Sequence, residues 1–146
     1  MNKFPQCFPP NFESEILPAG ADFRGRVVYR VMKYGKIDRN SFLGTYQEIV
    51  EGLMPPPRKP LDMNDPGTYS TSCYEKRSDL EYFLKVTMRR EPAAFIAKGI
   101  TCGECGPSQL SSDRKTNTRK DSSHVDWWIY ESASPELYFK EDKTNE

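Results

Sequence analysis

The sequence has no long apolar run and no excess of charge of either sign. No stretch approaches the roughly 20 consecutive apolar residues that a membrane helix needs, so we expect no membrane partner. The 21 basic side chains balance the 21 acidic ones, and without an overall field the chain is not expected to bind nucleic acid. The first seven residues, MNKFPQC, contain no hydrophobic signal core, which predicts a cytoplasmic protein.

Cysteine and histidine are also scarce, with four copies and one copy. Cys102 and Cys105 form a Cys-x-x-Cys pair that resembles half of a zinc knuckle, but a structural zinc site needs four ligands. The sequence has no second pair, and Cys7, Cys73 or His124 complete the set only if the fold brings them close. Because thiols stay reduced in a cytoplasm, the favoured interpretation is free thiols and no metal site.

Aromatic side chains and proline are, in contrast, abundant. Aromatics make up 12% of the 146 residues, which also include 12 prolines and 9 glycines. This composition predicts a single domain with an aromatic-rich core and long irregular loops. Residues 1–24 place four phenylalanines among four prolines, and we interpret them as an arm that packs aromatic rings onto the domain. Residues 25–139 then form the core of the domain, and residues 140–146 a polar tail.

Local patterns predict strands, helices and loops in alternation. Strand composition, rich in β-branched and aromatic residues, is found in segments 25–33, 94–101 and 124–130. Helical spacing is found in segment 40–51 and in the segment between a capping box at 78–81 and Pro92. This order of elements predicts an α+β fold with two main helices.

Two long segments are predicted to be loops. The prolines of segment 53–69 forbid a helix, and segment 102–123 is polar enough to be a mobile loop. Within it, residues 113–121 contain four basic side chains and are interpreted as a solvated loop or a lid. The apolar residues expected to be largely buried are Val27, Val28 or Tyr29, Leu80, Phe83, Leu84, Phe95, Ile96, Trp127 and Ile129.

Three polar groups interrupt the predicted strands. Arg30 lies in the middle of a strand, where it cannot be buried without a partner. It either points to water, pairs with a carboxylate, or binds an anion, since a guanidinium presents a planar fork that suits phosphate. The hydroxyls of Ser70, Thr71 and Ser72 follow the proline loop. They either cap the next helix or line a polar pocket.

The third group is His124 and Asp126, which share one face of a strand because they are two residues apart. The only histidine of the chain therefore lies beside a carboxylate. A carboxylate between tryptophans can stabilise a developing cation in a low-dielectric pocket. The alternative is a structural ion pair between Asp126 and Arg30 or a lysine.

Together, Val28-Tyr29-Arg30, Ser70-Thr71-Ser72 and His124-Val125-Asp126 resemble the arginine–serine–glutamate class of ADP-ribosyltransferases. The resemblance implies a small, split, mostly antiparallel sheet that binds NAD as a substrate. It implies that Arg30, with Tyr29 in the same motif, contacts an NAD phosphate, and that the serine–threonine–serine motif shapes the nicotinamide-ribose pocket. Asp126, with His124 beside it, would stabilise an oxocarbenium-like transition state.

One position departs from that family. The family usually has Glu-x-Glu or Gln-x-Glu in the last motif strand, whereas this chain has His124-Val125-Asp126, and aspartate is one methylene shorter. Glu131 is the nearest glutamate, but its parity places it on the opposite face of the strand. The site therefore either cleaves its nucleotide with a shorter carboxylate or binds it without cleaving it.

Three hypotheses follow from the sequence. The first is an NAD-using ADP-ribosyltransferase or NAD glycohydrolase, which would have a nucleotide ligand and a protein or other acceptor. The second is a non-catalytic module that binds a nucleotide or nucleotide signal. The third is a small protein-interaction domain whose aromatic arm and tryptophan pair contact a partner.

Overall fold

A computed structural model describes residues 2–114 and 122–143. Within them, one antiparallel sheet has the order β4-β5-β2-β1-β3-β6. Its strands are β1 Val27–Met32, β2 Thr71–Tyr74, β3 Phe95–Ile100, β4 Ser108–Leu110, β5 His124–Trp127 and β6 Phe139–Glu141. Short helices accompany this sheet, and the combination confirms the predicted α+β fold.

The sheet is split down its middle. β1 pairs with β3 at six positions, and β2 pairs with β5 at four. Between β1 and β2, by contrast, the register within the described residues consists of one pair, Tyr29 and Tyr74. The sheet therefore consists of two three-stranded halves joined at a narrow seam, which confirms the split, mostly antiparallel sheet.

Both helices are shorter than predicted, and each follows a 3-10 turn. Helix α1 spans Thr45–Val50 after the turn Arg39–Phe42, and α2 spans Glu81–Thr87 after the turn Arg77–Leu80. None of the helices in the described part of the chain is long and apolar enough to cross a membrane.

The continuous helix predicted for 40–51 is wrong because tertiary hydrogen bonds use the carbonyl groups that it needs. Arg30 donates to the carbonyls of Ser41 and Leu43 at 2.7 and 3.1 Å. Thr71 Oγ1 donates to the carbonyl of Phe42 at 2.6 Å. The chain is consequently extended at Leu43 and Gly44 before α1 begins.

The capping box predicted at 78–81 does not form. Leu80 is the residue before α2, and its side chain makes no capping bond. Asp79 instead accepts a hydrogen bond from Ser123 Oγ at 2.5 Å. The acidic side chain thus joins the helix entry to the residue before β5.

The main core lies against one face of the sheet around Trp127, which is fully buried. The burial prediction is confirmed for Val28, Leu80, Ile96 and Trp127. It is wrong for Val27 and Phe83, which are 53% and 49% exposed. Val27 faces away from Val28 at the end of β1, and Phe83 lies at the rim of a cavity. Half-buried positions are Tyr29, Leu84, Phe95 and Ile129.

The N-terminal arm packs on the domain as predicted. Phe8, Phe12 and Ile16 are buried and form a second core cluster with Tyr69 and Trp128. One aromatic of the arm departs from the prediction, since Phe23 is 61% exposed.

The loop predictions have different outcomes. In segment 53–69 the regular structure is limited to a 3-10 turn at Pro66–Thr68, as the prolines predict. The loop predicted for 102–123 is wrong at Ser108–Leu110, because β4 there pairs with β5. In the basic segment 113–121, residues 115–121 lie outside the described residues.

Candidate functional site

A buried carboxylate, that of Asp126, is the centre of the polar cluster. Asp126 is 1% exposed and lies in β5 opposite Ser72 of β2. Its Oδ1 accepts a hydrogen bond from Ser70 Oγ at 2.5 Å, and its Oδ2 accepts one from Ser111 Oγ at 2.6 Å. Arg114 Nη1 forms an ion pair with Oδ2. The protein therefore offsets the cost of burying this charge with three donors.

His124 connects the same cluster to a second serine. Its Nε2 lies 2.8 Å from Ser72 Oγ, and its Nδ1 is hydrogen-bonded to Ser111 Oγ. The Nδ1 atom is 3.9 Å from Oδ1 of Asp126. The histidine thus lies between two serine hydroxyls, one of which also donates to the carboxylate.

Strand register explains why these residues meet. Ser72 is opposite Asp126 and Tyr74 is opposite His124, and directly opposed residues of an antiparallel pair share one face. Ser70 and Ser72 share that face because they are two residues apart. The sequence-predicted residues Ser70, Ser72, His124 and Asp126 are therefore brought together.

Two members of the cluster could not be identified from the sequence. Ser111 belongs to the 3-10 turn that follows β4, and Arg114 comes directly after that turn. The segment was predicted to be a loop, and Arg114 was assigned to its solvated basic part. Two of the three residues of β4, Ser108 and Gln109, are polar, so no local pattern indicates that this segment pairs with β5.

Arg30 makes main-chain contacts that the sequence did not indicate. Its three guanidinium nitrogens donate to main-chain carbonyls, those of Ser41, Ser72 and Leu43, at 2.7, 2.6 and 3.1 Å. Burial lowers the pKa of Arg30. The guanidinium thus takes the place of a neighbouring strand at the Ser72 carbonyl, where β1 and β2 have separated.

The register also separates Arg30 from Asp126. Tyr29 is opposite Tyr74 and so shares the face of His124 and Asp126, whereas Arg30 leaves β1 on the other face. The two strands belong to one sheet, but their polar side chains do not contact each other. The alternative of a structural pair between Arg30 and Asp126 is therefore wrong, since Arg114 is the arginine bound to the carboxylate.

Tyr29 and Thr71 lie outside the cluster. Tyr29 packs against a small core of Val31, Leu80 and Ile96, and the Lys98 ammonium lies 5.6 Å from the centre of its ring. Thr71 is buried, with its hydroxyl on the Phe42 carbonyl. Both side chains therefore have structural contacts here.

Two cavities lie beside β2. The first, of about 330 Å³, is lined by Asp65, Gly67, Ser72, Tyr74, Ser111, Arg114, Ser122, His124 and Asp126. The second, of about 290 Å³, includes Arg30, Glu48, Ser70, Ser72 and Tyr74 in its lining. Because Ser72 and Tyr74 line both, the cavities are neighbours across β2.

The second cavity has its own buried carboxylate. Glu48 is 3% exposed and accepts hydrogen bonds from Lys33 Nζ at 2.7 Å and from the Tyr34 hydroxyl at 2.5 Å. Burial and the neighbouring Glu48 raise the pKa of Tyr34. This side of the seam therefore offers a lysine and a carboxylate near Arg30.

The four cysteines are free thiols. Burial raises the pKa of Cys73 to about 12, and burial together with neighbouring Cys102 raises that of Cys105 to about 11. Within residues 2–114 and 122–143, no three histidine, cysteine or acidic side chains are grouped so that they could hold a metal ion.

No protein-family model, curated protein or solved structure matches this chain. The cluster around Asp126 and the two cavities beside it are therefore the features from which a function can be inferred.

Proposed function

We propose that this protein binds an NAD-type dinucleotide across the two neighbouring cavities and cleaves the bond between nicotinamide and ribose. The observation that supports this most directly is the Asp126 carboxylate, held by Ser70 at 2.5 Å on the wall of a cavity of about 330 Å³. Such a group favours positive charge on a sugar placed next to it.

The reaction needs few protein groups. Nicotinamide leaves with the electron pair of the glycosidic bond, and the ribose carbon becomes cationic. The fixed charge of Asp126 stabilises that cation without reorganisation, because Ser70 and Ser111 already hold both carboxylate oxygens. Water or an acceptor hydroxyl then adds to the sugar carbon, and His124 accepts the proton that this nucleophile releases.

Two arginines lie on the walls of the cavities that would hold the phosphates. Arg114 lines the first cavity and Arg30 the second. Arg30 uses three donors on carbonyls, whereas a guanidinium has five N–H groups. In the proposed complex, the two further N–H groups of Arg30 contact a phosphate while the other three hold the strands apart.

A specific observation favours a second candidate, a nucleotide-binding module without catalysis. Both oxygens of Asp126 are already occupied by Ser70, Ser111 and Arg114, and aspartate reaches less far than glutamate. In this alternative the carboxylate orders the pocket rather than contacting the sugar. The third hypothesis has less support, because the rings it requires are internal: Trp127 and Trp128 are both fully buried.

Nicotinamide release from NAD by the purified full chain tests the proposal, with NAD affinity measured by calorimetry on the same samples. Asp126→Asn should lower turnover about 100-fold or more while changing affinity less, because the charge matters most when the sugar is cationic. Arg30→Ala should weaken NAD binding. Asp62→Asn is the matched control, because Asp62 is exposed and lines neither cavity. It should leave both turnover and affinity unchanged.

The outcomes separate the candidates. Binding with no nicotinamide release would favour the non-catalytic module, and the affinity of other phosphorylated nucleotides would then be measured in the wild type and in Arg30→Ala. If NAD and those nucleotides neither bind nor react, both nucleotide proposals are wrong.

A further inference from the structure

The hydrogen bonds around His124 have a definite direction. An ionised carboxylate only accepts, and each serine hydroxyl has one proton to donate. Ser111 therefore donates its proton to Asp126 Oδ2 at 2.6 Å and accepts the Nδ1–H of His124. In the neutral ring with Nδ1 protonated, Nε2 accepts a hydrogen bond from Ser72, whose Oγ lies 2.8 Å away.

In this arrangement the histidine accepts from one serine and is oriented by another group, which is the arrangement that activates a serine hydroxyl. A serine hydroxyl is a weak nucleophile until a neighbouring base removes its proton, and the base needs a third group that fixes its tautomer. Here Ser72 is the hydroxyl, His124 is the base, and Ser111 transmits the orienting effect of Asp126. His124 and Asp126 are not hydrogen-bonded to each other directly, since Nδ1 of His124 is 3.9 Å from Oδ1 of Asp126. Ser111 connects them instead.

We propose that Ser72 is a nucleophile that His124 activates, and that the protein hydrolyses small carboxylic esters or related activated acyl compounds through an acyl-serine intermediate. This activity goes beyond the proposed nucleotide chemistry, because it needs no NAD. The cluster on which it depends lines a cavity of about 330 Å³, which is large enough for a small acyl group.

The ester and water are the only reactants that this hydrolysis consumes. Ser72 Oγ bonds to the acyl carbon while its proton passes to His124 Nε2. The bond from the acyl carbon to the leaving oxygen then breaks, and that oxygen takes the proton from His124. Water next attacks the acyl carbon, His124 takes one proton from it, and the bond to Ser72 breaks to release the acid and restore the hydroxyl.

Two further contacts suit this role. The carbonyl of Ser72 accepts a hydrogen bond from Arg30 Nη1 at 2.6 Å, which fixes the main chain of the nucleophile from the opposite side of the strand. The charge of Arg114, on the wall of the same cavity, favours the negative oxygen that forms when Ser72 attacks. Arg30 is thus a positioning residue, whereas Ser72 and His124 are catalytic residues.

The test is labelling of the full chain with an alkyl fluorophosphonate, in which serine oxygen replaces fluoride on phosphorus. Intact-mass and peptide analysis should show one adduct on Ser72 in the wild type and none at that site in Ser72→Ala. His124→Asn should slow labelling about 100-fold or more, the range expected for loss of a general base. Ser132→Ala, an exposed serine, should label like the wild type.

A second variant keeps the test valid if Ser72→Ala does not fold. Ser111→Ala leaves both catalytic residues in place, and it should lower the labelling rate and shift the midpoint of its pH profile, because His124 loses its link to Asp126. A purely structural role of Ser111 would change stability without moving that midpoint. Failure of Ser72 to label between pH 6 and pH 9, or an equal rate in His124→Asn, would overturn the proposal, whatever the result with NAD.

Discussion

The side chain of Arg30 and the main chain of Ser72 are joined across the split in the sheet, with 2.6 Å between Nη1 and the carbonyl oxygen. The same guanidinium also holds the carbonyls of Ser41 and Leu43. One side chain therefore fixes the distance between β1, β2 and the segment that leads into α1. This position gives Arg30 a structural role that is independent of any ligand.

Arg30→Ala should lower the free energy of unfolding by about 3 kcal/mol or more, because three carbonyls lose a charged donor. Chemical denaturation measures this. Arg39→Ala is the matched control, since its pair with Glu51 is largely exposed and such pairs contribute less than about 1 kcal/mol. Equal effects of the two substitutions would show that the carbonyl contacts of Arg30 do not stabilise the fold.

Trp127→Ala should cost about 3–5 kcal/mol, the usual range for deletion of a large buried aromatic side chain. Trp127 is fully buried, and its Nε1 donates to the Gly106 carbonyl at 3.1 Å. Leu137→Ala removes an apolar side chain that is 78% exposed and should change stability by less than about 0.5 kcal/mol. A loss below about 1 kcal/mol for Trp127→Ala would contradict its place in the core.

Two glycines with positive φ should respond differently to alanine. At Gly106, φ is 145°, and a Cβ would lie 1.9 Å from the Trp128 carbonyl oxygen, so Gly106→Ala should cost about 3 kcal/mol or more. At Gly52, φ is 77° and nothing lies within 4 Å, so Gly52→Ala should cost only the backbone strain of about 1–2 kcal/mol. Thermal unfolding of the two variants compares them, and the reverse order would contradict the close approach at Gly106.

Stability should fall as the pH rises above 9. Burial raises the pKa of Cys73 from 9.0 to about 12, so the unfolded chain releases this proton first. The stability that the protonated Cys73 thiol contributes to the folded state is fully present below pH 9 and is lost as the pH rises towards 12. Between pH 9 and pH 10 the loss should be about 1 kcal/mol for this thiol.

Urea denaturation at several pH values measures this loss, and Cys73→Ala should flatten the profile in that range. The prediction fails if the wild-type midpoint is the same at pH 8.5 and pH 10, or if Cys73→Ala leaves the slope unchanged.

The sequence was most informative where structure depends on neighbours along the chain. The β-branched and aromatic residues at Val27–Met32 and Phe95–Ile100 predict strands, and the spacing of His124 and Asp126 predicts their shared face. These inferences need only the alternation of side chains along a strand. For the same reason, four of the six side chains of the Asp126 cluster could be proposed in advance: Ser70, Ser72, His124 and Asp126 itself.

Contacts between distant segments could not be read in this way. Ser111 and Arg114 join the cluster because β4 adds to the sheet beside β5, and a segment of mostly polar residues gives little sign of a strand. Likewise, nothing near Arg30 indicates that its acceptors are the carbonyls of Ser41, Leu43 and Ser72. Those bonds decide that the first predicted helix is interrupted.

The two halves of the sheet are interleaved along the chain. β1, β3 and β6 belong to one half and β2, β4 and β5 to the other, so the polypeptide passes between the halves four times: from β1 to β2, β2 to β3, β3 to β4 and β5 to β6. Neither half is a continuous segment, and so neither can form before residues far apart in sequence have met. Folding therefore requires contacts between residues that are distant in sequence, and such contacts form slowly. For the same reason the two halves are not separable domains, although few hydrogen bonds join them at the seam.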